Sequence, residues 1–438
     1  MTKRHGYALL AAIVAVIVAI SAAIYVGVAA DDGARTPVAD GRTPHNSAAP
    51  ASVGTWVGAW SASPAGPEPG TEVNGMAGRS VRNVVHVGVG GTAVRITLSN
   101  LFGQQPLSIT HASVAVAATA NNAAAATDTM RRLTFGGRPS VLVPPGQQVI
   151  SDAVRLLIPH DSDVLVTTYT PTPSGPVTYH PHARQISYTA EGDRTEDVSG
   201  VPYTGQTPYW RYVTALDVLS NESDGTVVVL GDSLTDGVTS TIGENRRWTD
   251  VLGDRLRSGS DGPRYSVVNE GISGNRVLTS GLGRPAENPS GLVRFDRDVL
   301  GRTNVKAVVV VLGVNDILRT PHETDAARIT AGLRGLKRLA HARGLRVVGA
   351  TLMPFHGHRG YRSDLEKTRQ AVNAEIRSGK VFDAYADFDK ALRDPYNPRR
   401  LLSRYDSGDH LHPSDEGYER MAEVFDLNDL KGTAPAQL

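Results

Sequence analysis

The first half of the chain has the hydrophobic pattern of β-strands. Between residues 55 and about 220, apolar side chains occur in short runs, and in two of these runs they recur at every second position, as in strands with one buried face. These runs are separated by Pro, Gly and Asp and cover residues 81–89, 94–98, 113–117, 140–143, 154–158 and 164–169. No long helical period interrupts them. The pattern predicts an all-β domain over residues 55–220, with a sandwich or jelly-roll shape.

One pair of these runs has the pattern of a β-hairpin. Val81, Val85, Val87 and Val89 precede the Gly90-Gly91 pair, and Val94, Ile96 and Leu98 follow it. Two runs of period two around a Gly-Gly pair are typical of a hairpin. We therefore expect the two runs to pair with each other.

The pattern changes at residue 226. Five short, continuous apolar runs follow, as in strands buried on both faces of a parallel sheet. They occupy residues 226–230, 265–269, 306–312, 346–352 and 381–385. Amphipathic helical segments lie between them, one with Trp248, Val251, Leu252 and Leu256 on a single face. This alternation predicts a doubly wound α/β domain over residues 221–430, followed by a short tail at 431–438.

The N-terminus has the pattern of an export segment. Residues 7–30 are uncharged and apolar, long enough to span a bilayer, and Lys3 and Arg4 precede them. Two interpretations of residues 1–30 remain open, a membrane anchor and a cleaved signal peptide ending near Ala30. Both place the rest of the chain outside the cytoplasm, in the extracellular space or at the cell surface. Residues 31–54 contain no aromatic residue and predict a disordered linker.

Charge and cysteine content exclude several kinds of function. The chain has 438 residues, with 45 Lys and Arg against 44 Asp and Glu, and no cysteine. A formal net charge of +1 gives no overall attraction to nucleic acid. The absence of cysteine excludes disulfides, a thiol nucleophile and a Cys-ligated metal centre.

Polar clusters follow three of the predicted parallel strands, and a fourth precedes the last helix. They begin at Gly231 (GDSLTDG), Asn269 (NEGISGN), Gly313 (GVND) and Asp409 (DHLHP). In an open parallel sheet, ligands bind beyond the carboxyl ends of the strands. We therefore expect these four clusters to meet at one site.

The residues of the four clusters suit acyl transfer. Ser233 is a candidate nucleophile, His412 its general base, and Asp409 the carboxylate that orients the imidazole. The backbone N–H groups of Ser233 and Gly274 and the side-chain amide of Asn315 are candidate donors of an oxyanion hole. This chemistry needs no metal and no organic cofactor.

These motifs resemble the SGNH/GDSL hydrolase superfamily, whose four namesake positions correspond to Ser233, Gly274, Asn315 and His412. The resemblance covers about residues 226–427, and Asp409-x-x-His412-Pro413 is its most specific part. It implies a flavodoxin-like three-layer fold and hydrolysis of carboxylic esters by a Ser-His-Asp triad. The segment from Gly54 resembles secreted actinobacterial members related to xylan-associated acetyl or aryl esterases.

The sequence predicts an exported serine esterase that acts on a small-molecule or polysaccharide ester. Three alternatives remain: acyl transfer to an acceptor alcohol, a lipase or phospholipase, and a glycan- or wall-binding protein that uses its β domain. No nucleic-acid partner is expected, and membrane contact is expected only through residues 7–30 if they are not cleaved.

Other polar residues have simpler interpretations. His410 is a rival base on the same loop, and we favour His412. The His356-Gly-His358 run suggests a rim loop rather than a metal site, and His180 and His182 suggest a surface turn. Asp232 and Asp236 are expected to hydrogen-bond the turn that carries Ser233.

Overall fold

The structure is a computed structural model, and it describes residues 54–259, 262–281 and 288–433. The predicted export segment, residues 7–30, and all but the last residue of the predicted linker lie outside the described residues. Within these ranges, no helix is both long and apolar enough to cross a lipid bilayer. The described residues belong to one compact unit.

The first part of the chain is antiparallel. Its strands are β1 (Thr55–Ser61), β2 (Gly66–Pro67), β3 (Arg79–Val87), β4 (Gly91–Ser99), β5 (Leu107–Ile109), β6 (His111–Val116), β7 (Arg131–Arg132), β8 (Val141–Val143), β9 (Gln148–Ile150), β10 (Val154–Ile158), β11 (Ser162–Thr170), β12 (Thr178–His180), β13 (Ser187–Glu191), β14 (Gly205–Thr207), β15 (Trp210–Arg211) and β16 (Val213–Ser220). We call residues 54–220 the β part.

Two main sheets form the β part. One has the order β1-β16-β4-β10, with β9 also on β4, and the other has the order β14-β13-β3-β11-β6-β7. Val94, Ile96 and Leu216 of the first sheet share one core with Val85 and Val166 of the second. Burying each such side chain contributes about 1.5–3 kcal/mol, so this shared core holds the two sheets together. The expectation of an all-β part is confirmed.

The predicted hairpin at Gly90-Gly91 is wrong. Both runs are strands, β3 and β4, but they belong to different sheets, so the chain crosses the core between them. Strand β3 pairs with β11 and β13, whereas β4 pairs with β16, β9 and β10. A two-residue hairpin turn of type I′ or II′ needs a positive φ, and neither glycine has one. Valines of both strands are buried in the shared core. The same buried faces would be expected whether the two strands paired in one sheet or, as observed, lay in two sheets that face each other.

The second part is α/β, and its five-stranded sheet is parallel. The strands are β17 (Gly225–Gly231), β18 (Tyr265–Gly271), β19 (Val305–Val311), β20 (Arg346–Ala350) and β21 (Ala384–Ala386), in the order β18-β17-β19-β20-β21. The helices are α1 (Ser233–Asp236), α2 (Trp248–Ser258), α3 (Gly291–Phe295), α4 (Val314–Leu318), α5 (Ala326–His341), α6 (Ser363–Arg377), α7 (Phe388–Leu392) and α8 (Asp415–Glu423). A π-helical turn at Asp296–Leu300 and 3-10 turns at Ser403–Tyr405 and Leu427–Leu430 complete it.

Helices cover both faces of the parallel sheet. Val228 and Leu230 of β17 pack in one core with residues of α5 and α6, while Val227 and Val229 pack in another with residues of α2, α7 and α8. The alternation explains why the strands are continuous apolar runs, since each face of the sheet needs its own buried residues. The parallel sheet predicted over residues 221–430 is confirmed. Its last strand begins three residues later than predicted, because Val381 and Phe382 are buried in the segment just before it.

Candidate active site

Ser233 lies just after β17, at the edge of the parallel sheet where the strands end. Strand β17 ends at Gly231, Asp232 caps the short helix α1 through its side chain, and Ser233 is the first residue of that helix. A Cβ on Gly231 would lie 2.0 Å from Oγ1 of Thr235. Glycine is therefore needed because α1 folds back against the strand end, and not because of an unusual φ.

Ser233, His412 and Asp409 form one chain of hydrogen bonds. The Ser233 Oγ lies 2.8 Å from Nε2 of His412, and Nδ1 of His412 lies 2.6 Å from Oδ2 of Asp409. The other carboxylate oxygen of Asp409 accepts from the backbone N–H groups of Leu411 and His412. The carboxylate is thus fixed by its own loop, and the ring of His412 is held with Nε2 facing the serine hydroxyl.

The carboxylate of Asp409 is stabilised in its ionised form. Burial raises its pKa, but hydrogen bonds from the ring and the backbone N–H of His412 outweigh that effect and hold the pKa below its usual value. An ionised Asp409 favours the tautomer of His412 with its proton on Nδ1, which leaves Nε2 free to accept a proton from Ser233.

Asn315 lies just after β19, the strand beside β17 in the sheet. Two neighbouring side chains set the orientation of its amide group. It belongs to α4, which follows β19, and its Nδ2 donates to Oδ2 of Asp232 at 3.2 Å. Its Oδ1 accepts from Nε of Arg319 at 3.0 Å. The amide group therefore presents its nitrogen on the Asp232 side, with one N–H left for a substrate. Burial raises the pKa of Asp232 to about 7, although the backbone N–H of Leu234 and the charges of His412 and Arg319 lower it.

Gly274 lies in the loop after β18. Its φ of 80° is in the left-handed region, which favours glycine, and a Cβ there would lie 2.7 Å from the guanidinium of Arg319. Within the described residues, the backbone N–H groups of Ser233 and Gly274 have no protein acceptor. Both N–H groups therefore remain candidate donors to an oxyanion.

The other histidines occupy different places. His410 has its Nδ1 2.6 Å from Asp406 and does not contact Ser233. The loop of His356 and His358 packs against His410, since a Cβ on Gly357 would lie 2.9 Å from the ring of His410. Among the described residues, no group of three or more His, Cys, Asp or Glu side chains is arranged to hold a metal ion.

The profile of the GDSL-like Lipase/Acylhydrolase family matches residues 229–420, which include all five candidate residues. These residues belong to the GDSL-like lipase/acylhydrolase family. The α/β part, which comprises the described residues from 221 onward, is therefore a carboxylic ester hydrolase domain. We call it the GDSL domain.

Several solved structures are similar to part of this chain. They include a GDSL-like lipase from Bacteroides thetaiotaomicron (19% identity, TM-score 0.33), covering 45% of this chain and 84% of that one. A carbohydrate acetylesterase from Sinorhizobium meliloti (17% identity, TM-score 0.35) covers 45% and 95%. An aryl esterase from M. smegmatis (16% identity, TM-score 0.36) also covers 45% and 95%. No curated protein matches the chain.

The GDSL domain has a buried arginine that the sequence analysis missed. Arg294 donates to the backbone carbonyls of Gly231 and Glu270 at 2.8 and 2.7 Å, and to Oδ1 of Asn275 at 3.0 Å. Asp298 balances its charge. Arg294 thus ties together the ends of β17 and β18, from which Ser233 and Gly274 extend. No sequence motif marks it, because its partners, which also include the hydroxyl of Ser63, are spread along the chain.

His180 and His182 were predicted in a surface turn, and for His180 this is wrong. His180 is buried at the end of β12, with Nε2 2.9 Å from Asp236 of the GDSL domain. His182 lies 3.5 Å from the same carboxylate and is partly exposed. The only sequence signal was the His-Pro-His run, which does not indicate a partner 54 residues away from His182.

A cavity of about 610 Å³ lies between the β part and the GDSL domain. Its lining includes Trp60, His180 and Asp236 but neither Ser233 nor His412. The cavity is therefore separate from the hydrogen-bonded chain of Ser233.

The contribution of Asn315 can be measured by substitution. Asn315→Ala is expected to lower kcat about 10²–10³-fold with little change in KM, because an oxyanion donor acts mainly in the transition state. Asn315→Asp, which keeps the shape and replaces the donor by an acceptor, is expected to lose at least as much. Steady-state kinetics with p-nitrophenyl acetate separate kcat from KM. A raised KM at unchanged kcat would instead show that Asn315 only binds substrate.

Proposed function

We propose that this protein is an exported serine esterase that hydrolyses carboxylic esters through an acyl-enzyme on Ser233. The observation that carries the proposal is the unbroken hydrogen-bonded chain from Ser233 Oγ through His412 to Asp409, with distances of 2.8 and 2.6 Å. The family of the GDSL domain supports it, because ester hydrolysis is the reaction of that family. Export is proposed from the apolar segment of residues 7–30 and the positive charges before it.

The reaction follows from the geometry. Nε2 of His412 accepts the hydroxyl proton as Ser233 Oγ bonds to the ester carbonyl carbon, which forms a tetrahedral oxyanion. The N–H groups of Ser233, Gly274 and Asn315 donate to that oxyanion. The C–O bond to the alcohol then breaks, and the imidazolium of His412 donates its proton to the leaving oxygen. A water molecule, deprotonated by the same nitrogen, hydrolyses the acyl-enzyme and releases the acid.

The β part is proposed to be a sandwich, because its two main sheets share one core.

The alcohol part of the substrate is proposed to be a carbohydrate hydroxyl, as the sequence resemblance implies. A panel of p-nitrophenyl esters with increasing acyl length, together with acetylated xylan, tests the substrate class. We expect the acetyl ester and acetylated xylan to be turned over fastest. Preference for long acyl chains would favour a lipase, and transfer of the acyl group to an added polyol would favour an acyltransferase.

The nucleophile can be identified directly by covalent labelling. A p-nitrophenyl phosphonate should react once per chain, forming a phosphorus–oxygen bond to Ser233 Oγ as p-nitrophenolate leaves. Intact-mass measurement gives the stoichiometry, and peptide mapping gives the position. His412→Ala is expected to slow the labelling about 10²-fold or more, since the serine then has no base. A stoichiometric label on another serine would contradict the proposal.

A further inference from the structure

The β part makes a buried contact with the helix that carries Ser233. His180, at the end of β12, is 4% exposed, and its Nε2 lies 2.9 Å from Oδ1 of Asp236. Its Nδ1 lies 2.8 Å from the backbone carbonyl of Ser63, which is also in the β part. Both partners accept hydrogen bonds, so the ring makes both bonds when each nitrogen carries a proton and Asp236 is ionised.

Asp236 is held in its ionised form by this contact. Burial raises its pKa, but the charge and hydrogen bond of His180, with a smaller contribution from His182, outweigh burial and hold the pKa well below its usual value. Removing one partner of a buried ion pair leaves the other charge uncompensated, which is costly. The position of the Asp236 carboxylate therefore depends on His180.

The same carboxylate holds the loop of the candidate oxyanion donor. Oδ2 of Asp236 accepts from the backbone N–H of Ser273 at 2.9 Å and from its hydroxyl at 2.5 Å. Ser273 directly precedes Gly274. Asp236 is also the last residue of α1, the helix that begins at Ser233. One side chain thus sets the distance between the helix of the nucleophile and the loop of Gly274.

We propose that His180 is a positioning residue of the esterase reaction. Acting through Asp236 and Ser273, it holds the N–H of Gly274 where the oxyanion forms, so the β part is a component of the catalytic centre. This inference rests on the proposed function. Its physical basis is that a shift of about 1 Å in a catalytic group can reduce a rate about 10²-fold.

A purely structural ion pair would affect stability alone, so the test separates kcat from thermal stability in the full chain. His180→Leu removes both hydrogen bonds and is expected to lower kcat for p-nitrophenyl acetate about 10- to 100-fold, with KM within about twofold. His180→Gln keeps a donor near the position of Nε2 and is expected to recover most of that loss. In the double variant with Asp236→Asn, the two effects should not add, because both act through one contact.

His111 provides a matched control. Like His180 it is a largely buried histidine of the β part between two acceptors, the carboxylates of Asp193 and Glu196, but all three residues lie in the β part. His111→Leu is expected to lower the unfolding temperature and leave kcat within about twofold. Rates are measured well below each variant's unfolding temperature, so that every variant assayed is folded.

The outcomes are distinguishable. If His180→Leu and His180→Gln both keep kcat within about twofold of the parent, the inference is wrong, whatever their unfolding temperatures. If His180→Leu does not fold, Asp236→Asn decides instead: the inference expects it to lower kcat about 10-fold or more with KM within about twofold, and a kcat within about twofold of the parent would overturn it. A parent chain without Ser233-dependent esterase activity would overturn the proposed function itself.

Discussion

Ser233→Ala is expected to lower kcat/KM for p-nitrophenyl acetate by about 10⁴-fold or more, to a rate that only binding and oxyanion donors sustain. The Ser233 hydroxyl is the only group in the described residues that contacts Nε2 of His412. Without it, no oxygen is placed to attack the ester carbonyl. Release of p-nitrophenolate, followed by absorbance, measures the loss.

The same change should leave the fold intact. Ser233 Oγ makes its hydrogen bond to His412 and to no core residue, so the unfolding temperature is expected to change by only a few degrees. Ser240→Ala is the matched control, since Ser240 is a buried serine seven residues later that donates to the carbonyl of Gly237 and does not contact His412. Its activity is expected to stay within a few-fold of the parent. Ser233→Ala retaining more than about 1% of the activity would contradict an acyl-enzyme on this residue.

His412→Ala is expected to reduce kcat/KM by a similar factor, about 10⁴-fold or more, while His410→Ala reduces it only a few-fold. The two histidines are separated by one residue on the same loop. His412 lies 2.8 Å from Ser233 Oγ, and His410 lies 2.6 Å from Asp406. Only His412 can accept the hydroxyl proton in this geometry.

This pair tests the base with nearly identical surroundings. Each change removes one imidazole and one ion pair with an aspartate, so general effects on the loop should be equal. Kinetics of both variants with the same ester, and their thermal unfolding, complete the comparison. If His410→Ala were the inactive variant, the assignment of the base would be reversed.

Much of the GDSL domain could be predicted from its sequence. Runs such as 226–230 and 306–312 are apolar on both faces, and a parallel sheet covered on both sides by helices buries such strands. The chain direction then sends the residues after each strand to one edge, which is why Ser233 and Asn315 were expected at one site. Asp409 and His412 were expected to pair because a separation of three residues allows a turn to bring them together.

The β part was less predictable in detail. Alternating valines show that a strand has a buried face, but they do not show which strand lies beside it. The runs around Gly90-Gly91 fit a hairpin and equally fit two strands facing each other across a core, which is the observed arrangement. The turn residues do not decide between these, since pairing depends on contacts with strands more than 50 residues away.

The sequence by itself determined the kind of chemistry that we propose for this protein. The motifs around Ser233, Gly274, Asn315 and His412, together with the absence of cysteine, point to an activated serine, because hydroxyl, imidazole, carboxylate and amide groups at strand ends suit acyl transfer.

Only the tertiary structure decided how that chemistry is supported. The contact of His180 with Asp236 joins residues 56 positions apart, and Arg294 donates to the carbonyls of Gly231 and Glu270, which are 63 and 24 positions away. Neither arrangement leaves a pattern in the sequence. Buried polar groups must find partners wherever the fold brings them. In this fold that requirement pairs His180 of the β part with Asp236 of the helix that begins at Ser233.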